Sequence, residues 1–226
     1  FFSAGFVNPK YQLPLYGGTV FSESVKSFKE QFHNMPFLFL IRNDYAAREF
    51  VTAEVIRLGI KDFRIIEFTN DTRGQADTVL QGTSDYSDNI SIIVFNIDTI
   101  RHNFLIPSVA DFGDGFLEVF EGQGDGWSFV QLGKKNQVTR TAEKQRISSL
   151  CSNGIYGFKR LGDFREAYSL GSEDSLSLHN EVYIAPLYNA LIKNGLDIRC
   201  IQLPIEAMGF CGTPDEYELL KKATKF

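Results

Sequence analysis

Nearly continuous apolar runs, each set off from its neighbours by a helical repeat, constrain this chain more than any other feature. Phe37 to Ile41, Phe63 to Phe68 and Ile90 to Phe95 are strand-like and largely apolar. Between them apolar residues return at helical spacing. Val20, Phe21, Ser24, Val25, Phe28 and Phe32 share a stripe, and Pro36 separates them from the first run. A second helix is predicted over Tyr45 to Leu58, with Asn43 or Asp44 as its N-cap and Gly59 as its stop. After a loop at Thr69 to Arg73, a short helix is predicted from Gln75 to Gln81. Helices alternating with such strands imply a parallel sheet covered on both faces.

The middle of the chain changes character. Phe116 to Phe120, Trp127 to Leu132 and Gln137 to Ala142 are short strand candidates separated by Gly-rich or Lys-Lys-Asn turns, which predicts a small antiparallel insertion. A strand at Gly154 to Phe158, helices near Leu161 to Tyr168 and Glu181 to Asn194, and a strand at Ile198 to Leu203 follow. Thr213, Pro214 and Glu216 form a capping box that opens a final helix. At 226 residues, 43% of them apolar, the chain can bury one sizeable core, so a single domain over 1–226 is expected.

Charge and cysteine usage exclude several function classes. The net charge is -5, and no Lys or Arg run interleaves with aromatics, so no nucleic-acid partner is expected. Cys151, Cys200 and Cys211 are odd in number and widely spaced, which suggests neither a disulfide framework nor a zinc site and fits a reducing, cytoplasmic compartment. Charges interrupt every apolar stretch before it could span a bilayer, and no basic-then-apolar leader opens the sequence, so no membrane partner is expected.

Ligands of open parallel sheets bind where strands end and helix N-termini point into the gap. Four segments fall at such places. Lys10 lies between Pro9 and Pro14 in a segment expected to be stiff and extended, where it could grip a phosphate or simply be solvated. Arg73-Gly74-Gln75-Ala76 is a tight turn opening a helix, whose expected free amides and Gln75 side chain could read a polar base edge or a phosphate; a plain turn and cap explain it equally well. Asn96-Ile97-Asp98 ends an apolar strand, and two-residue alternation would put Asn96 and Asp98 on one side. Asp98 would then suit Mg2+, a hard cation with a preference for oxygen ligands, or else cap the next turn. Glu143-Lys144 closes the insertion, and Lys144 would clamp a second phosphate or pair with Glu118 or Glu143 on the surface.

The order of these segments resembles the sugar-phosphate nucleotidyltransferases, which include glucose-1-phosphate thymidylyltransferases and capsular-polysaccharide cytidylyltransferases. Pro9-Lys10-Tyr11-Gln12-Leu13-Pro14-Leu15 with Gly17-Gly18 looks like the family segment whose lysine meets the nucleotide phosphates. Thr72 to Thr78 looks like its base-recognition turn, Asn96-Ile97-Asp98-Thr99 its metal-binding strand end, and Val138 to Lys144 the segment that meets the acceptor phosphate. Asn153-Gly154-Ile155-Tyr156, Asn180 to Asn189 and Gly212 to Tyr217 complete a series over nearly the whole chain.

The resemblance implies a Rossmann-like three-layer α/β/α fold with a mixed, mainly parallel central sheet. It implies a Mg2+-dependent enzyme that joins a nucleotide from a nucleoside triphosphate to a phosphorylated small-molecule acceptor, with release of pyrophosphate, for capsule or surface polysaccharide synthesis. Lys10, Asp98 and Lys144 would be catalytic; Lys10, Gly74, Gln75 and Asn96 would bind the nucleotide; Glu143, Lys144, Asn153, Gly154 and Glu181 would bind the acceptor; Asp98 would hold the metal. Two departures stand out: Phe1 to Gly5 look like the residues that follow the family's N-terminal strand and Gly-rich loop, and Phe210 stands where many members carry a second metal-binding aspartate. A nucleotide-sugar-dependent glycosyltransferase of the related fold, with Asn96-Ile97-Asp98 as a degenerate metal motif, and a non-catalytic nucleotide-sensing domain are the alternatives.

Overall fold

Helix and strand do alternate along the chain, but the strands are shared among several sheets. The computed structural model describes residues 1–223 in two compact units: one formed by 1–71, 96–106 and the chain from Glu206, the other by 72–95 and 107–205. In chain order the strands are β1 (Pro14–Leu15), β2 (Gly18–Thr19), β3 (Phe37–Arg42), β4 (Phe63–Phe68), β5 (Ile92–Phe95), β6 (Thr99–Arg101), β7 (Gly115–Glu121), β8 (Ser128–Leu132), β9 (Val138–Glu143), β10 (Leu150–Phe158), β11 (Ile198–Leu203) and β12 (Met208–Phe210). The α-helices are α1 (Val20–Val25), α2 (Ala47–Leu58), α3 (Gln75–Gly82), α4 (Val109–Phe112), α5 (Leu161–His179), α6 (Tyr188–Lys193) and α7 (Pro214–Lys222).

In the first unit β1 and β2 form a hairpin whose two-residue loop, Tyr16 and Gly17, takes φ 51 and 82. Two left-handed residues match the twist of paired strands. Thr19 and Ser22 cap α1 reciprocally. The predicted helix from Val20 to Phe32 breaks at Val25 into a 3-10 stretch, Lys26–Gln31, with Phe28 at φ -103 and ψ 24. Side-chain bonds to β6 account for the break: Ser24 donates to Thr99 O at 2.5 Å and Ser27 accepts from Arg101 N–H at 2.9 Å, while Phe28 packs on Phe104 at 4.8 Å.

α2 starts two residues later than predicted and without a side-chain cap. Tyr45 and Ala46 take positive φ, and the Asp44 carbonyl receives the Ala47 amide at 2.8 Å. The Asp44 carboxylate instead faces Arg42 at 3.3 Å. Gly59, at φ 79, ends α2 as expected. β3 and β4 pair in parallel from Phe37↔Phe63 to Arg42↔Phe68, and β6 and β12 pair antiparallel. Leu13, Leu15, Val20, Ile100, Cys211, Tyr217 and Leu220 form a buried cluster beneath them.

The second unit holds a six-stranded sheet ordered β11-β7-β10-β8-β9, with β5 also paired to β10. β7 and β11 are parallel, and β10 is antiparallel to both β5 and β7, so β5, β7 and β11 share one direction. Residues 116–120 therefore do not belong to the antiparallel insertion. β7 is buried from Gly115 to Phe120, and burial on both faces suits a central strand, not an exposed hairpin. β8 and β9 alone form the added hairpin. β10 begins four residues before the predicted strand and shifts register between Ser152 and Tyr156, a bulge in which Gly154 takes φ 90. The predicted helix at Glu181 to Asn194 shrinks to a 3-10 turn, Ala185–Leu187, followed by α6. Tyr188 stacks on Phe158 at 4.6 Å and donates to Gly157 O at 2.8 Å, which fastens α6 to β10. Among the described residues no helix is long and apolar enough to cross a membrane.

Candidate active site

Lys10 does not sit in an extended segment. Pro9 fixes φ at -61, its carbonyl accepts the Gln12 amide at 2.9 Å, and Lys10 to Gln12 close a 3-10 turn. That turn aims Nζ at Asp98, 88 residues away, and the two meet at 2.8 Å with side chains 24% and 32% exposed. Partial burial strengthens such a pair beyond its value in open water. The Phe1 ring lies 5.8 Å from the same ammonium. Gln12 anchors the turn further by donating to Tyr45 O at 2.9 Å.

Asp98 also sits differently from expectation. β5 ends at Phe95, and residues 96–99 turn, with the Thr99 amide on Asn96 O at 3.4 Å. Two-residue alternation holds only in extended chain, so it does not put Asn96 and Asp98 on one side. What holds Asp98 is Cys211: its amide donates to Asp98 O at 2.9 Å and its Sγ at 3.2 Å. Burial, with the Asp98 charge second, pushes the Cys211 thiol up to about 12, so it keeps its proton as a donor. No spacing rule signals this contact across 113 residues. Phe210, in β12, brings no carboxylate. Gly212 lies beside Asp98, where a Cβ would meet Glu216 Oε2 at 3.3 Å and Asp98 Oδ2 at 3.6 Å.

The donor set bears on Mg2+. Among the described residues no group of three or more His, Cys, Asp or Glu could hold a metal ion. A single hard carboxylate, engaged by Lys10 through Oδ2, does not make a cage. It does fit Mg2+, which keeps several waters and takes one or two carboxylates together with substrate phosphates.

In the second unit the turn before α3 is more occupied than predicted. Gly74 takes φ 123 and ψ -178, the Ala76 amide donates to Val182 O at 3.0 Å, and the Val182 amide donates to Arg73 O at 2.7 Å. The expected free amides are thus reduced by a two-way backbone pair. Gln75 opens α3 directly after this turn.

Lys144 follows β9 with φ 50, and its backbone amide is held by Trp127 O at 2.9 Å. Its Nζ donates to Tyr183 OH at 2.7 Å and lies 4.8 Å from that ring. Neither Glu118 nor Glu143 is a surface partner for it, because both are buried. Glu118 accepts from Asn153 Nδ2 at 2.8 Å. Glu143 accepts from the Ser128 hydroxyl, and burial raises its pKa against that bond and the Lys144 charge. The Tyr183 bond raises the pKa of Lys144, with the fields of Glu143 and Glu181 adding, so it stays cationic. Asn153 spends its other end on the Ile155 amide at 3.0 Å, inside the bulge that contains Gly154. No spacing in the sequence singles out Tyr183. Its only signal there is its place in the Asn180 to Asn189 segment.

No protein-family model matches the chain, nor does any curated protein. Solved structures do. The nucleoside-diphosphate-sugar pyrophosphorylase from Vibrio cholerae RC9 is 44% identical, over 99% of this chain and 95% of that one, with TM-score 0.93. A UDP-glucose pyrophosphorylase complexed with UDP-glucose is 14% identical over 94% of this chain and 89% of that one, at TM-score 0.71. The inositol-1-phosphate CTP transferase from T. maritima is also 14% identical, over 97% and 89%, at TM-score 0.71. The last two share the fold, a mixed α/β architecture with a mainly parallel sheet. The first, at 44% identity over nearly the whole of both chains, shows that the chain belongs to the nucleoside-diphosphate-sugar pyrophosphorylase family of nucleotidyltransferases.

Proposed function

We propose that the chain transfers a nucleoside monophosphate from a nucleoside triphosphate to a phosphorylated small-molecule acceptor, such as a sugar phosphate, and releases pyrophosphate. The observation that carries this reading is the Lys10–Asp98 pair at 2.8 Å, in a chain of this family. A cation held by a carboxylate in a part-buried position is ready to exchange that partner for a phosphate oxygen.

An oxygen of the acceptor phosphate attacks the α-phosphorus, the new P–O bond forms in line, and the bond to the β-phosphate bridge breaks with its electron pair leaving on pyrophosphate. The attacking oxygen is already ionised at neutral pH, so no general base is needed. Catalysis then consists of positioning and of neutralising negative charge. Lys10 holds the triphosphate, Gly74 and Gln75 read the base together with Asn96, and Lys144 takes the acceptor phosphate, with Glu143, Asn153, Gly154 and Glu181 on the acceptor side. Asp98 would hold Mg2+, which supplies charge neutralisation at phosphate oxygens when bound. The enzyme on this reading works in the cytoplasm, where its three buried, free cysteines stay reduced, and its product supplies capsule or surface polysaccharide synthesis.

The test is a pyrophosphate-release screen of ATP, CTP, GTP, UTP and dTTP against a panel of phosphorylated acceptors, with and without Mg2+. Release that needs both an acceptor phosphate and Mg2+ is expected. Release of a nucleoside diphosphate from a nucleotide sugar, with no pyrophosphate in any combination, would replace this function with glycosyl transfer.

A further inference from the structure

The turn that carries Gly74 and Gln75 is held by a polar network that the reaction itself does not use. Asp77 is 4% exposed, and its carboxylate accepts three hydrogen bonds. The Arg73 amide reaches Oδ2 at 2.9 Å, Gln81 Nε2 reaches the same oxygen at 2.8 Å, and Tyr168 OH donates to Oδ1 at 2.7 Å. The Tyr168 hydroxyl in turn accepts from the Arg73 guanidinium at 2.6 Å, and Arg73 reaches on to Glu173 at 3.3 Å. Burial and the Asp77 hydrogen bond raise the Tyr168 hydroxyl to about 12, so it remains a donor at any working pH. Both ends of Arg73, backbone and side chain, are therefore fixed through one buried carboxylate and one phenol.

The Val182 backbone pair holds the same turn through the Arg73 carbonyl and the Ala76 amide. Gly74 is confined as well: its carbonyl accepts from Thr78 Oγ1 at 3.1 Å, and Val182 leaves no room for a Cβ. A helix start needs one cap, and here a buried carboxylate with three donors and a tyrosine 91 residues away are spent on it. Such an investment in a single peptide conformation is understandable if the exact direction of the next side chain, Gln75, matters.

We infer that Asp77 and Tyr168 are positioning residues for nucleotide recognition, holding the Arg73–Gly74 turn so that Gln75 is presented to the base. The inference rests on the nucleotidyl-transfer reading and on the role of Gln75 within it. Neither residue touches substrate; both act through the turn.

The experiment is a double-mutant cycle in the full-length protein, with KM and kcat measured for ATP, CTP, GTP, UTP and dTTP. Gln75→Ala is expected to raise KM for the best triphosphate. Tyr168→Phe keeps the ring and removes only the bridging hydroxyl; it is expected to raise the same KM roughly 3- to 10-fold, leave kcat and acceptor KM within about twofold, and narrow the preference among the five triphosphates. In the Gln75→Ala background Tyr168→Phe should change that KM by less than about twofold, because its effect passes through Gln75. Asp77→Asn should fall on the same pattern with partial retention, and if it fails to fold, Tyr168→Phe carries the test alone. A Gln75→Ala variant with unchanged triphosphate KM would remove the base-reading role itself. A Gln75→Ala effect without any Tyr168→Phe effect, or a Tyr168→Phe effect undiminished in the Gln75→Ala background, would overturn the positioning role and leave the base-reading role standing.

Discussion

Gly74→Ala is the sharpest structural test of the turn. Gly74 takes φ 123 and ψ -178, a region that is nearly closed to residues with a Cβ, and entering it costs about 1–3 kcal/mol. The added methyl group would also stand 2.6 Å from Val182 N, 2.9 Å from Val182 O and 3.3 Å from Glu181 Cβ. Flexible side-chain ends could give way, but two of these atoms are backbone, and they are tied to Arg73 O at 2.7 Å and to the Ala76 amide at 3.0 Å. Overpacking of that kind adds about 1–3 kcal/mol. Taking about 3 kcal/mol in total, with about 2–4 °C of melting temperature per kcal/mol at this chain length, the variant should melt roughly 6–12 °C below the parent. Thermal unfolding followed by circular dichroism measures this directly. Triphosphate KM should rise in parallel, since the strain is relieved only by moving the turn. A variant that melts within about 2 °C of the parent and keeps its triphosphate KM would show that the turn geometry and its role are wrong.

Three further outcomes follow from other parts of the molecule. On the proposed reading Lys144→Ala removes a charge-assisted contact to the acceptor phosphate, worth about 1.5–3 kcal/mol, so acceptor KM should rise roughly 10- to 150-fold while triphosphate KM holds; steady-state kinetics at saturating triphosphate tests it. Glu143 has a raised pKa in the folded state, so its contribution to stability is present at low pH and is lost as pH rises through that raised value. The gain in melting temperature of Glu143→Gln over the parent should accordingly grow from pH 4 to pH 7, and a pH-independent difference would contradict the burial account. Cys151, Cys200 and Cys211 are buried with raised thiol pKa values, so iodoacetamide at pH 8 should label none of them in the folded protein and all three after denaturation, as read by mass spectrometry.

Where the chain carries strong local chemistry, the sequence and the structure agree. The Thr213–Glu216 capping box, the Gly59 stop and the strands at 63–68 and 198–203 all stand where spacing and turn residues put them. α5 runs eleven residues past the Leu161 to Tyr168 that spacing predicts, because its buried face beyond Tyr168 is built from Ser172 and Ser175, which carry no apolar period. Gly171 on the same helix leaves 3.3 Å between a would-be Cβ and Leu187. In sequence β7 reads as part of the insertion, because a short apolar strand between Gly-rich turns looks alike at an edge and at the centre; only its pairing with β10 and β11 distinguishes them. The candidate site divides in the same way. Lys10, Asp98 and Lys144 stood out through the order of segments around them, whereas Cys211, Tyr168 and Tyr183 reach their partners across long stretches of chain and leave no local mark.

Asp98→Asn, assayed for pyrophosphate release with Mg2+, the preferred triphosphate and a phosphorylated acceptor, puts the central claim to the most direct test. The pair with Lys10 is only part-buried and worth about 1 kcal/mol to the fold, so the melting temperature should fall by no more than about 4 °C. On the proposed reading the amide would hold Mg2+ less well, and losing that positive charge at the transferring phosphate should lower turnover by roughly 100-fold or more. A variant that folds like the parent and loses release to that extent is the predicted result; one that releases pyrophosphate at the parent rate would contradict it.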